Sequence, residues 1–491
     1  MANEYVESRQ KLKLLAQIGL LMGPFLSMVD SNIVNVALPD IAKALNSNLT
    51  DAQWVVSAYM LSMAAGLAIS PYLAKRFGTL NVYRVCLLGF ALGSTLCALS
   101  TSIVVLTIAR SIQGVLGAPL IPLAMSMMFG RETKTENKNI SPIIGMTLFL
   151  APGLGPTIGG VFLHYFSWPS VFWINVPIGL LGFLSIFSVP KFPEDESNAS
   201  VRFDPLGLIL LSGGLTLAVF GTSRGPIDGW ASIQSWPYWT GGAVLLMLYA
   251  LWASTTKNPA VDLRLMRSSY TALAMALCAL TSVVMFSIIV IIPLFMENVQ
   301  GKTPLITGLT MFPQAILMGM GTVIGGKFSK RYGVKTSVIV GLTFLTIGSV
   351  LLLLIQQDTP SWNVAFLLLF RGLGLGLVIQ QLLTAILQGL DIRENTDANT
   401  LFNISERIGG ATGVALVVTY LQTRLQHRLD IAKNAGDNLS AMKPATVSGF
   451  HDTFLLLAIL SFVGLLVAIV FLRRDMKMAI EQSVSKSFPT K

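Results

Sequence analysis

An aspartate, Asp30, stands inside an otherwise uncharged apolar run from about residue 14 to residue 37. A carboxylate in such a run is costly to bury, so it faces a partner or a cavity rather than hydrocarbon. Gly23, Ser27 and Ala37 fall on the same helical face and present small side chains there, which suits the interior of a helix bundle. An acid in that setting can load and release a proton, and a cationic compound could compete with the proton for the same oxygens. The plainer alternative is a fixed hydrogen bond to a neighbouring helix.

Other polar residues recur inside apolar runs. Arg110 shares a helical stripe with Thr107, Gln113, Gly114 and Gly117, and Arg371 precedes Gly372, Gly374 and Gly376. An arginine cannot usefully give up its proton, so each must find acceptors. Glu406 and Arg407 lie near Asn403, Gly409 and Gly410; as sequence neighbours they point about 100° apart on a helix. For Glu406 and Arg407, structural pairing and a second proton or substrate site both stay open. Trp54, Tyr59, Trp173, Phe149 and Phe312 could line an aromatic pocket for a hydrophobic cation, or simply pack. Gly145, Pro152, Pro156 and Gly159 fall on roughly one helical face, and Gly155 and Gly159 form a GxxxG pair that invites close backbone approach. Proline bends such a helix, so the segment suits a helix that moves; tight packing without motion is the alternative.

The elements that must hold these residues follow from composition. Of 491 residues, 53% are hydrophobic and 12% charged, about half the charged fraction of a soluble protein. The mean hydropathy is +0.68. Lipid must cover part of that apolar surface, which excludes a soluble multidomain enzyme and a disordered chain. Fourteen stretches can span a bilayer, at about 14–37, 52–73, 85–100, 103–128, 140–163, 170–189, 206–222, 237–256, 270–295, 305–326, 336–355, 362–388, 400–423 and 452–472. With both termini inside, 24 of the 34 Lys and Arg fall on inner segments and 7 on outer loops, four of the latter in a long outer loop at 424–451. The net charge of +10 is therefore topology and not a nucleic-acid footprint. His164, His427 and His451 are expected in or near outer loops.

The chain also repeats itself. Ala74-Lys75-Arg76-Phe77-Gly78 corresponds to Ser329-Lys330-Arg331-Tyr332-Gly333, and Arg110 to Arg371, at offsets of 255 and 261 residues. Two six-helix halves with an extra helical pair inserted between them explain both offsets, with a site expected between the halves. The expected domains are an N-terminal six-helix bundle at 1–190, an inserted two-helix hairpin with its flanking loops at 191–269, and a C-terminal six-helix bundle at 270–491.

Four further segments carry a family likeness. Met28-Val29-Asp30-Ser31-Asn32-Ile33-Val34-Asn35-Val36-Ala37-Leu38-Pro39, Arg110-Ser111-Ile112-Gln113-Gly114, Ala151-Pro152-Gly153-Leu154-Gly155-Pro156-Thr157-Ile158-Gly159-Gly160 and Phe172-Trp173-Ile174-Asn175-Val176-Pro177-Ile178-Gly179 resemble signatures of the major facilitator superfamily. Within it they resemble the fourteen-helix drug:proton antiporters of the EmrB and QacA type. There are departures. Asn32 replaces the usual Thr, and Pro71 and Lys75 stand where the loop after the second helix usually has Gly and Asp. Pro169 and Ser170 stand where Arg-Trp is common. The resemblance implies an all-α polytopic membrane protein of the major facilitator fold. It implies a proton-coupling role for Arg110 near the first-helix acid. With the residues read above, the expected coupling set is Asp30, Arg110 and Glu406, with substrate contacts expected from Asp30, Trp54, Tyr59, Gln113, Phe149, Phe312, Asn403 and Glu406. Conformational roles fall to Gly145, Pro152, Gly153, Gly155, Pro156, Gly159, Gly160, Lys75, Arg76, Gly78 and Arg371.

The resulting expectation is a proton-driven exporter of hydrophobic, often cationic compounds in a bacterial inner membrane, working as a monomer by alternating access. An envelope-spanning partner protein is left open. No phosphate-binding loop, hydrolase elbow or HExxH motif occurs, so an ion gradient is the expected drive, and no enzyme activity, metal, cofactor or nucleic-acid partner is expected. Cys86, Cys97 and Cys278 form no CxxC pair and imply no disulfide framework. A proton-coupled carrier of a metabolite or lipid would share the whole fold. An uncoupled channel is the remaining alternative.

Overall fold

The computed structural model describes residues 14–129, 155, 158–163, 165–189, 203–256, 259–387, 394–434 and 439–487. Its helices are α1 Leu14–Ala44, α2 Leu49–Phe77, α3 Thr79–Ala98, α4 Ile103–Gly117, α5 Leu120–Phe129, α6 Ser170–Trp173, α7 Asn175–Ser185, α8 Pro205–Asp228 and α9 Trp236–Thr255. They continue with α10 Ser269–Asn298, α11 Pro304–Tyr332, α12 Val334–Leu351, α13 Ser361–Leu387, α14 Asn395–Asn434 and α15 Leu439–Ser487. Among the described residues, 11 helices are long and apolar enough to cross a membrane. Every apolar stretch except the fifth coincides with helix; the fifth, with Gly145, Phe149, Pro152, Gly153 and Pro156, lies largely outside the described residues.

Two sequence expectations need correction. The segment 424–451 is not a long loop: α14 runs on to Asn434 and α15 starts at Leu439. Helix propensity and side-chain pairing extend the helices past their apolar stretches, and Arg428 on α14 donates to Asp452 on α15 at 3.0–3.1 Å. His451 likewise sits in α15, its Nε2 2.7 Å from the Ile355 carbonyl. The fourth and sixth stretches coincide with the candidate spans Ile103–Met128 and Ser170–Ser188, with the helix interrupted within them before Leu120 and at Ile174.

The described residues fall into two compact units. The first takes its residues from 1–224, 231–262 and 390–404. Val29, Ile33, Val34, Val55, Leu106 and Phe172 form its core around α1. A Cβ at Gly182 would lie 2.7 Å from Met22 Cβ, and one at Gly179 would lie 2.9 Å from Ala91 Cβ. The small residues of α7 therefore seat it directly against α1 and α3. The inserted pair rests on α2: Ser212 and Thr216 of α8 donate to the Ala65 and Leu61 carbonyls. Asp204 ties the pair's ends together, accepting from the Gly207 N–H at 2.8 Å, Trp252 Nε1 at 3.0 Å and the Ala260 N–H at 3.1 Å.

The second unit takes its residues from 225–230, 263–389 and 405–491. Ile288, Ile292, Phe295, Leu368, Phe450 and Phe454 belong to its core. α11 and α13 meet backbone to backbone, since a Cβ at Gly372 or Gly376 would collide with the Gln314 or Met318 carbonyl oxygen. That closeness makes dispersion between the two backbones large without any bulky side chain.

The sequence repeat has a structural counterpart. Gly78, between α2 and α3, has φ 85° and ψ 136°; Gly333, between α11 and α12, has φ 87° and ψ 152°. Each donates its N–H to the carbonyl four residues back, Ala74 at 2.9 Å and Ser329 at 2.8 Å. Only glycine adopts that region without strain, so the same turn is built twice. Gly333→Ala is expected to destabilise the protein by about 1–3 kcal/mol, read as a lower melting temperature in detergent. Gly326→Ala on α11, where a Cβ meets nothing within 4 Å, should leave the melting temperature unchanged or slightly raised.

Candidate functional site

α1 carries Asp30 into the first unit with no exposed surface, and α4 brings Arg110, equally buried, to meet it. Arg110 Nη1 lies 2.5 Å from Asp30 Oδ2. Water cannot reach either charge, so the pair must be satisfied from within the protein. The other carboxylate oxygen, Oδ1, accepts from Asn175 Nδ2 at 2.7 Å and from Gln113 Nε2 at 3.4 Å. Ser94 on α3 ties these donors together, its Oγ 2.5 Å from Gln113 Nε2 and 3.2 Å from Asn175 Nδ2. Hydrogen bonds to a charged group contribute about 1.5–3 kcal/mol each, so these donors offset part of the cost of enclosing the pair.

Arg110 is held by more than the carboxylate. Nη1 also donates to Gln113 Oε1 at 2.8 Å, and Nε donates to the Val55 carbonyl at 3.4 Å. Its guanidinium lies 4.0 Å from the ring centre of Tyr59 and 5.6 Å from that of Phe172. The Tyr59 hydroxyl donates back to the Ser27 carbonyl on α1 at 3.4 Å. Tyr59 and Gln113, expected to contact substrate, are therefore built into the charge site itself. Arg110 Nη2 and Asn175 Oδ1 are buried with no hydrogen-bond partner among the described residues.

The glycine pair expected on the fifth stretch touches the same helix. A Cβ at Gly155 would lie 2.7 Å from Asn32 Cβ, and one at Gly159 3.0 Å from Ile33 Cγ1; Gly160 meets nothing within 4 Å. Gly155 and Gly159 thus sit against the turn of α1 that follows Asp30.

Other expected residues are placed elsewhere. Trp54 is 41% exposed and stacks on Phe220 of the inserted pair at 5.7 Å. In the second unit Arg371 is fully buried, yet donates to the Ser349 hydroxyl and, at 3.0 Å, to the Val284 carbonyl. It meets no carboxylate among the described residues, so its geometry is that of a brace. Phe312 and Glu406 are half-buried in this unit, whereas Asn403 is buried in the first and donates to the Asn399 carbonyl at 2.8 Å.

Lys75, at the position where the resemblance leads one to expect Asp, pairs with Asp397 in the first turn of α14 at 2.5 Å. Burial pushes the Asp397 carboxyl above its ordinary range, and Lys75 pulls the other way. Ser126 and Thr396 meet beside it at 3.0 Å. Sequence reasoning missed Asp397, as it missed roles for Asn175 and Ser94. Asn175 had a signal, a polar residue at the start of an apolar stretch, but Ser94 and Asp397 had none that spacing could read. Among the described residues, no group of three or more His, Cys, Asp or Glu side chains could hold a metal ion.

The model of the Major Facilitator Superfamily matches residues 20–414. The multidrug export protein EmrB of Escherichia coli is 28% identical over 83% of this chain and 80% of its own. The riboflavin transporter RibZ of Clostridioides difficile is 25% identical over 95% of this chain and 99% of its own. Among solved structures, the human organic anion transporter MFSD10 superposes with a TM-score of 0.56 at 14% identity, covering 92% of this chain and 100% of that one. It shares the fold.

Removing one member of the buried pair strands the other's charge. Asp30→Ala and Arg110→Ala should each destabilise the protein by about 3–5 kcal/mol. The combined Asp30→Ala and Arg110→Ala variant should lose much less than the sum of the two, so the pair is strongly non-additive in detergent unfolding. Additive losses would mean that the two charges do not depend on each other.

Proposed function

The chain belongs to the Major Facilitator Superfamily, whose model spans most of its length, and on that footing we propose that it is a proton-coupled antiporter exporting hydrophobic, often cationic compounds. The observation that carries the reading is the fully buried Asp30 carboxylate, paired with Arg110 and supplied with amide donors by Asn175 and Gln113. A proton arriving on Asp30 removes the counter-ion of Arg110. The guanidinium then keeps Gln113 Oε1, the Val55 carbonyl and the Tyr59 ring, so protonation redistributes contacts among α1, α2 and α4. A cationic compound and a proton neutralise the same carboxylate and therefore exclude each other, which is the minimal requirement of antiport. The exchange runs by alternating access in a bacterial inner membrane, with both termini inside, and the protein acts as a monomer on its small-molecule substrate.

The EmrB relative supports the drug reading by its name and coverage. A second reading, transport of a physiological metabolite, is favoured by the near end-to-end match to a relative named as a riboflavin transporter. Both use the same acid, so one experiment serves. Purified protein in liposomes with a trapped pH-sensitive dye and an imposed proton gradient should show proton release on adding hydrophobic cations. Folded, monodisperse Asp30→Asn should show none. A response to riboflavin alone would select the metabolite reading. Undiminished flux in Asp30→Asn would remove Asp30 from the coupling step.

A further inference from the structure

α1 contains a proline six residues before Asp30. Pro24 has no N–H, so the Leu20 carbonyl lacks its helical donor, and both Gly23 and Pro24 are buried where water cannot substitute. Tyr83 of α3 fills that position. Its hydroxyl, fully buried, donates to the Leu20 carbonyl at 2.8 Å, with the Gly19 carbonyl at 3.2 Å, and accepts from the Gly23 N–H at 3.1 Å. Gly23 has no room for a side chain, since a Cβ there would collide with that hydroxyl. One oxygen thus bridges a donor and an acceptor across the break, as an ordered water would.

α1 is seated on both sides of this gap. Before it, Met22 abuts Gly182 of α7 and Gly19 abuts the backbone of Ile186 just beyond α7; after it, Leu26 lies against Gly179 of α7. The stretch after the gap carries Asp30, about 9 Å further along the axis. The gap in the hydrogen-bond ladder at Gly23 and Pro24 lies between these seats, so the helix geometry held there sets where Asp30 lands relative to Arg110 and Asn175. We infer that Tyr83 is a positioning residue for the Asp30 site, its hydroxyl bridging the gap in the α1 hydrogen-bond ladder and so fixing the helix geometry that seats the carboxylate between those two donors. The consequence for transport rests on the antiport reading above, whereas the consequence for Asp30 itself does not.

The test compares Tyr83→Phe, Pro24→Ala and the double variant with the wild type. The pH profile of Asp30 modification by a hydrophobic carbodiimide, which attacks protonated buried carboxyls, is read by mass spectrometry beside the melting temperature. The titratable groups facing Asp30 are Arg110, Tyr59 and Cys97, and all three stay in place in every variant. Tyr83→Phe should lower the melting temperature and move the modification midpoint to higher pH, because a displaced carboxylate loses donors. Pro24→Ala supplies the missing N–H to Leu20, so the double variant should regain thermal stability while its midpoint stays displaced. Should Tyr83→Phe fail to fold, Pro24→Ala carries the test by itself. A midpoint equal to wild type in every folded variant overturns the inference and leaves Tyr83 a packing residue. A wild-type Asp30 that never reacts overturns it too. Absence of proton flux from the wild type, with the midpoint shifted as expected, would instead count against antiport alone.

Discussion

A carboxylate enclosed in protein must be surrounded by hydrogen-bond donors, and α3, α4 and α7 of the first unit meet that need at Asp30. Arg110 supplies the opposite charge at 2.5 Å, but a bare ion pair would not repay the loss of hydration. Asn175 from α7 and Gln113 from α4 complete the carboxylate's shell, and Ser94 from α3 fixes both amides. Four helices are thereby committed to positions within hydrogen-bonding tolerance of one another.

Such convergence is feasible only where helices approach closely. Gly182 and Gly179 let α7 sit against α1 and α3, bringing Asn175 within reach of Asp30. Gly114 does the same for α4, its missing side chain leaving room for the Ser62 and Met63 turn of α2. Tyr59 then comes under the Arg110 guanidinium. The glycines are no part of the chemistry, yet they determine that the polar groups can meet. In the second unit the same close packing surrounds Arg371, where hydroxyl and carbonyl acceptors take the place of a carboxylate. Equivalent positions in a repeat thus hold an ion pair in one unit and a brace in the other.

Much of this was legible in the sequence because membranes punish exceptions. Asp30 and Arg110 stood out as charges inside apolar stretches, and the repeat was visible through paired glycine turns that the structure builds with nearly equal angles at Gly78 and Gly333. What could not be read were partners that look ordinary by composition. Ser94 is one serine among many, and Tyr83 is an aromatic residue in an apolar helix until Pro24 is seen to leave Leu20 without a donor. Asp397 is distinguished only by Lys75 lying opposite it. The helical ends beyond 424 escaped hydropathy because it measures lipid affinity and is silent on helices that continue into water.

The central claim is that Asp30 gives up its proton when a cationic compound binds. Infrared difference spectroscopy on the reconstituted protein tests it directly through the C=O stretch of a protonated carboxyl. At a pH where Asp30 is protonated, adding a transported compound should abolish one such band, and folded Asp30→Asn should lack that change. A compound that is transported while the Asp30 band stays unaltered would contradict the account.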